Sequence, residues 1–161
     1  MKEIASLLGQ DVLRPVSFED IINNIDILRA KAGDRAVLRA IHFVNESLRA
    51  HDEAEALLEG DLKEFLRLVK ESGNSSFKYL QNVYTNKDVT VQNVSLALAV
   101  SDTILNPDEV SRVHGGGFAG TIQAFVKKEN AARYQKYMDK VFGSGSCEIL
   151  SIRKYGGIRV L

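Results

Sequence analysis

The chain has 161 residues, which suits one domain or a domain with a small appendage. Its 21 lysines and arginines balance 21 aspartates and glutamates, whereas a nucleic-acid-binding protein needs a concentrated basic face. No run approaches the roughly 18 apolar residues of a membrane span, and the first residues do not resemble a secretory signal peptide. Cys147 is the single cysteine, so an internal disulfide and a cysteine-based zinc site are excluded. We expect a cytoplasmic chain that contacts neither nucleic acid nor membrane.

Residues 1–33 carry short helical patches and are predicted to form an N-terminal helical lead-in. Ser17 precedes the acidic residues Glu19 and Asp20, a pattern typical of a helix start with Ser17 as N-cap. Gly33 then interrupts the pattern, and Asp34 is predicted to cap the next helix.

A long helix over 35–58 has two contrasting faces. An apolar stripe of helical period is predicted to face a core and continues to His51 and Leu58; it consists of Val37, Ile41, Val44 and Leu48. The opposite side carries four polar residues within an arc of about 80°: Arg39, His42, Glu46 and Arg49. This polar line is either a solvated face with local ion pairs or a surface that contacts another domain.

Three more helices complete a helical part over residues 34–105. Gly60 is predicted to end the long helix, and Asp61 to cap a second one that stops near Gly73. A polar break at 74–76 is expected to precede a short helix. A further helix over 90–105 ends before Pro107.

From residue 108 the apolar period changes to that of strands. Residues 110–114 and 121–126 are predicted strands on either side of a glycine loop, followed by a helix over 129–142 that ends at Gly143. Further strands are predicted over 147–152, where Cys147 would be a small strand hydrophobe, and over 158–161. The whole chain, 1–161, is therefore predicted to be one α+β domain with helices packed on a small antiparallel sheet.

The glycine loop is the most distinctive motif and supplies the candidate site residues: Gly115, Gly116, Gly117, Phe118, Ala119 and Gly120. Such a loop serves either as a hairpin turn without a ligand or as a nest of amides for an anion. A dinucleotide fingerprint is rejected because it must open a helix, and no Lys-Ser or Lys-Thr closes a Walker A motif. No catalytic residue and no metal-ligating residue is assigned.

Three segments resemble galactokinases of the GHMP kinase superfamily. The decapeptide from Arg112 to Thr121 is similar to their third signature motif, R-M-T-G-G-G-F-G-G-C, with His, Ala and Thr at positions 114, 119 and 121. The segment from Arg39 to Arg49 is similar to R-A-x-H-x-x-x-E-x-x-R. The stretch from Ser72 to Phe77 lies where the family has S-H-x-S-L.

This resemblance implies a GHMP kinase C-terminal domain without its N-terminal kinase domain, since the family's phosphate loop, sugar-binding signature and catalytic Asp are missing. In the complete parent, ATP and Mg²⁺ bind between two domains, and the 1-hydroxyl of galactose attacks the γ-phosphoryl group. The six loop residues then face the triphosphate, by direct contact or by bracing the phosphate loop. The resemblance further implies a partner N-terminal domain, a role in galactose metabolism, and an exposed interdomain face prone to weak self-association. The chain alone is expected to be inactive and to bind neither ATP nor Mg²⁺ tightly.

Alternatives from other classes remain open. The chain could be a stand-alone, non-catalytic module that binds sugar or nucleotide, or a subunit of a split kinase. A related small-molecule kinase is a third hypothesis, against which the Arg39–Arg49 segment argues. His114 either touches phosphate or packs at a domain seam, and His51 is expected in a core or seam.

Overall fold

The computed structural model describes residues 1–118 and 120–152, which divide into two compact units over 1–125 and 126–161. Unit 1 contains six α-helices, one π-helical turn and a two-stranded sheet, and the described part of unit 2 contains one helix. In chain order the elements are α1 (Lys2–Leu7), α2 (Phe18–Asn23), α3 (Ile25–Ala32), α4 (Asp34–Glu59), α5 (Leu62–Ser75), the π turn (Ser76–Leu80), α6 (Asn93–Ile104), β1 (Val110–Val113), β2 (Ile122–Phe125) and α7 (Lys128–Phe142).

Local capping signals place several helix ends. Ser17 caps α2 in a reciprocal capping box, in which its hydroxyl accepts from the Asp20 N–H at 3.1 Å and the Asp20 carboxylate accepts from the Ser17 N–H at 2.9 Å. Gly60 ends α4 in the left-handed conformation, as predicted. The predicted cap by Asp34 is wrong, because its carboxylate instead accepts from Nε of Arg29 at 2.7 Å.

The first half of α4 closes an apolar core with α1, α2 and α3. This apolar cluster contains nine buried residues: Ile4, Ala5, Leu13, Val16, Ile21, Leu28, Val37, Ala40 and Val44. The predicted stripe is confirmed as far as Val44. Beyond it Leu48 and Leu58 are exposed, because a helix of this length extends past the short helices that cover its start. His51 is also exposed and pairs with Glu55, so a core position is wrong for it, whereas a position at a domain seam stays a prediction.

The second half of unit 1 joins α5 to the sheet. β1 and β2 pair antiparallel, with Val110 opposite Phe125 and Val113 opposite Ile122, which confirms the α+β class with a small antiparallel sheet. Phe65 of α5 meets the Phe125 ring edge to face, with ring centroids 5.5 Å apart. A small apolar cluster lies between β1 and α6.

Helix α5 does not stop at Gly73 as predicted, and the polar break at 74–76 is not observed. The helix runs on to Ser75 and continues as the π turn. A Cβ at Gly73 would lie 3.1 Å from Cβ of Arg112, so this glycine permits a close approach between α5 and β1. Close packing, which a sequence pattern does not reveal, explains why a glycine is found inside this helix.

In unit 2, α7 begins at Lys128 and ends before Gly143, which confirms the helix predicted over 129–142. The strand predicted over 147–152 is wrong, because no strand forms there. The Cys147 N–H donates to the Asp139 carboxylate at 3.1 Å, and its carbonyl accepts from Nε2 of Gln135 at 2.7 Å. Side chains of α7 thus satisfy backbone groups that a strand partner would otherwise take. The strand predicted over 158–161 lies outside the described residues.

Within the described ranges, no helix combines the length and the apolar character that a membrane crossing requires.

Candidate functional site

The glycine loop connects β1 to β2 and is closed by backbone hydrogen bonds. The His114 N–H donates to the Thr121 carbonyl at 3.0 Å, which extends the ladder by one pair beyond the strands. Within the loop, the Phe118 N–H donates to the Gly116 carbonyl at 3.1 Å and the Gly120 N–H donates to the Gly117 carbonyl at 2.9 Å. These bonds give the loop a defined shape.

Three of the four loop glycines have a backbone conformation that L side chains rarely adopt. The φ angles of Gly115, Gly117 and Gly120 are +60°, +83° and +85°. Gly116 has an ordinary φ and is exposed. Backbone conformation therefore requires glycine at three positions, whereas at Gly116 it does not.

One side of the loop rests on Asn82. Gly117 is buried there, and a Cβ added to it would lie 2.2 Å from the Asn82 carbonyl oxygen and 2.6 Å from its Nδ2. The Asn82 Nδ2 group donates to the Gly116 carbonyl at 3.3 Å. The loop and Asn82 are thus in direct contact, and a residue with a side chain does not fit at position 117.

The other side of the loop is open. Gly115, Gly116 and Gly120 are exposed, and a Cβ at each would meet no atom within 4 Å. The Phe118 side chain is 64% exposed. Four of the six predicted site residues therefore lie on the open side, Gly117 lies on the side that contacts Asn82, and Ala119 lies outside the described residues. The His114 side chain is also exposed.

Behind the loop, the polar line of α4 packs against α5 and the π turn, so it is not a solvated face. His42 is buried, and its Nδ1 lies 2.9 Å from Oγ of Ser75. Glu46 accepts from the hydroxyl of the buried Ser72 and pairs with Arg49. At the end of the line, Nε of Arg39 donates to the Leu80 carbonyl at 3.1 Å. We refer to Arg39, His42, Glu46 and Arg49 with these partners as the polar layer.

Burial perturbs the ionisation of His42 in the polar layer and of two groups outside it, Glu53 and Arg112. Burial, together with the nearby Arg49 and Arg112 charges, lowers the pKa of His42 to about 4, so the imidazole is neutral at pH 7. Burial raises the pKa of Glu53, against the opposing effect of the two arginines. Burial also lowers the pKa of Arg112, which the Glu53 charge partly offsets. These groups are thus close enough to influence one another.

No sequence motif pointed to Asn82, and the contact between the serines of α5 and the polar line on α4 was not predicted. The sequence did contain a signal for the contact between α5 and the polar line on α4. The two helices are joined by the short turn at Gly60 and Asp61, so they run antiparallel and bring polar residues at matching distances from the turn into contact. No comparable local signal points to Asn82, since its partner glycines lie far along the chain.

The described ranges contain no group of three or more His, Cys, Asp or Glu side chains suited to a metal ion. The groups available to a ligand are therefore main-chain groups of the glycine loop, which is open on one side and contacts Asn82 on the other. Such loops allow close approach of an anionic group to main-chain N–H donors.

Comparison with known proteins finds galactokinases. The chain is 33% identical over 110 residues to the galactokinase of Limosilactobacillus reuteri (strain DSM 20016), which covers 68% of this chain and 26% of that enzyme. It is 31% identical over 150 residues to the galactokinase of Homo sapiens, covering 93% of this chain and 35% of the human protein. It is 29% identical over 142 residues to the galactokinase of Bos taurus, covering 88% of this chain and 33% of the bovine protein. No protein-family model matches the chain.

The chain spans only about a quarter to a third of the length of the relatives it matches. These matches agree with the resemblance of the glycine loop and of the α4 segment. The chain belongs to the galactokinase family, as a segment that corresponds to its C-terminal part.

Proposed function

We propose that this chain forms the part of a galactokinase that presents the glycine loop to the reacting phosphates. In the complete enzyme, the γ-phosphoryl group of ATP passes to the 1-hydroxyl of galactose. The observation that supports this proposal is the loop itself. Three glycines with positive φ hold a defined turn, Asn82 supports one side, and the other side is free of side-chain obstruction.

The residues present fit a phosphate better than they fit a metal. Main-chain N–H groups near Gly115 and Gly116 can approach a phosphate oxygen because no Cβ intervenes. Phosphoryl transfer depends chiefly on positioning and on stabilising charge, so a rigid loop contributes by orienting the phosphates. Mg²⁺ lacks a suitable cluster among the described side chains, and its ligands belong to the rest of the enzyme and to the nucleotide.

The activity then requires the remainder of the enzyme as a partner. The family's phosphate loop and sugar-binding signature have no counterpart in this sequence. We therefore expect the 161-residue chain to release no ADP by itself with ATP, Mg²⁺ and galactose. Sugar specificity also belongs to the remainder.

Complementation tests this proposal. The DNA directly upstream of the Met1 codon identifies the N-terminal part to supply; where it encodes none, the corresponding part of the Limosilactobacillus reuteri enzyme is used. Mixing the two parts should restore galactose-dependent ADP release. Association without activity would favour a non-catalytic binding module and contradict the proposal.

A variant that fills the open side of the loop makes the test specific. Gly116→Val should leave the melting temperature nearly unchanged, because Gly116 has an ordinary φ and open space around it. The added side chain should nevertheless cut turnover strongly by blocking the phosphate approach. Asn86→Val, in another exposed loop, is the matched control and should retain full turnover. A Gly116→Val mixture as active as the control would show that the loop is merely a turn.

A further inference from the structure

The chain is tightly constrained just before it reaches Asn82. The π turn ends α5, and the Gln81 N–H donates back to the Ser76 carbonyl at 2.8 Å. Gln81 has a φ of +54° and is the only non-glycine residue with positive φ in the described ranges. π-Helical turns are rare and are found frequently at functional sites. A strained residue after such a turn aims the next residue in a specific direction.

The polar layer holds this turn in place. Arg39 of α4 donates to the carbonyl of Leu80, the last residue of the π turn. A guanidinium at this point also interacts favourably with the carbonyl end of a helix. The hydrogen bond from Arg39 thus connects α4 to Leu80, which precedes Asn82 by two residues.

Asn82 itself has the features of a residue that positions another group. It is 3% exposed, and its Nδ2 atom donates to the Gly116 carbonyl. Within the described ranges its Oδ1 atom is buried without a hydrogen-bond partner. A buried acceptor without a partner is unfavourable for stability, so packing alone does not explain an asparagine here. Its useful group is the donor that holds the loop.

We propose that Asn82 is a positioning residue that sets the conformation of the glycine loop. Its Nδ2 group fixes the Gly116 carbonyl, and its backbone leaves space for glycine alone at position 117. The loop consequently turns its open side away from Asn82, toward the phosphate. This last step rests on the proposed function, whereas the hold on the loop does not.

The isosteric variant Asn82→Asp removes the donor and keeps the shape. In NMR spectra of the full chain, the amide signals of Gly115–Gly117 should shift. Hydrogen exchange of the Phe118 and Gly120 N–H groups, whose hydrogen bonds close the loop, should accelerate by about five- to tenfold for the loss of one hydrogen bond. Lowering the pH from about 8 to about 5 should reverse the change, because a buried carboxyl has a raised pKa and its protonated form donates again. Ser111→Ala, which alters a buried hydroxyl on the neighbouring strand, is the matched control and should leave the loop signals in place.

A second variant covers the case in which Asn82→Asp does not fold. Arg39→Gln releases the Leu80 carbonyl without touching the loop, and it should change the same glycine signals to a smaller extent. Loop signals that stay unchanged in whichever of these variants folds would overturn the proposal.

Kinetics of the complemented enzyme separate this inference from the proposed function. The Asn82→Asp variant should raise KM for ATP by about five- to tenfold while KM for galactose stays unchanged. Changed loop signals with an unchanged KM for ATP would overturn the positioning role in catalysis. Changed loop signals in a chain whose wild type gives no complementation would refute the proposed function and leave the hold on the loop established.

Discussion

Helix α4 separates two regions of unit 1 that are stabilised by different chemistry. On one face its first half buries Val37, Ala40 and Val44 in the apolar cluster with α1, α2 and α3. On the other face His42 and Glu46 meet the serines of α5 through hydrogen bonds. The apolar cluster relies on non-directional burial, whereas the polar layer relies on contacts that specify distance and angle.

The difference suggests a division of tasks. Apolar burial contributes free energy roughly in proportion to area and tolerates small shifts of one helix against another. A buried hydrogen bond contributes little net free energy, yet leaving one partner unsatisfied is costly, so each pair keeps α5 in one register on α4. The apolar cluster therefore supplies most of the stability of this region, and the polar layer determines where α5, the π turn and Asn82 lie.

The largest expected effect is in the apolar cluster. Leu28→Ala removes a side chain with no exposed surface and should lower the free energy of unfolding by about 2–5 kcal/mol, through lost burial and a residual cavity. Urea unfolding followed by circular dichroism measures this. Ile27→Ala, at a neighbouring position that is 43% exposed, is the control and should cost less than about 1 kcal/mol. Equal losses at both positions would contradict the assignment of the core.

The glycine loop should show a sharp contrast between adjacent residues. Gly117→Ala should cost about 2–3 kcal/mol, because the residue has a positive φ and its Cβ would overlap the Asn82 carbonyl oxygen. Gly116→Ala, with an ordinary φ and open space, should change stability by less than about 0.5 kcal/mol. Thermal unfolding compares the two variants. A Gly116→Ala change as damaging as Gly117→Ala would show that the loop has a different conformation.

In the polar layer, His42 should make the free energy of unfolding depend on pH. The pKa of His42 is lowered to about 4 in the folded chain and is near 6.5 in the unfolded chain, so the unfolded state binds more protons between these values. The contribution of His42 is complete above about pH 6.5 and is lost as the pH falls through about 4, with a total of about 3 kcal/mol. Burial of Glu53 acts in the opposite direction, since its raised pKa favours the folded state at low pH.

Comparison with His42→Gln isolates the histidine contribution. The difference in free energy of unfolding between the two proteins, measured by urea titration from about pH 4 to about pH 7, should change by about 3 kcal/mol. A difference that does not vary with pH would show that His42 is not buried as a neutral group.

Local signals in the sequence were sufficient for several elements. The capping box at Ser17, the αL glycine after α4, and the change of apolar period after Pro107 each act over a few residues, so their structural outcome is readable from the chain. The glycine loop was recognised for the same reason. Its six candidate residues could be named from the sequence. The sequence could not show that the structure requires glycine at position 117 and not at position 116.

Tertiary structure decided which groups these elements bury. Sequence periodicity identified both faces of α4, but only the placement of α1, α2, α3 and α5 determined that the apolar stripe stops being covered after Val44 and that the polar line is buried. The continuation of α5 beyond Gly73 likewise depends on its contact with β1. Asn82 contacts glycines that are distant in sequence, and the backbone of Cys147 is hydrogen-bonded to side chains of α7 instead of to a strand. Capping and helical period are local and cooperative within one element, whereas burial and hydrogen-bond partners are set by whichever element folds alongside.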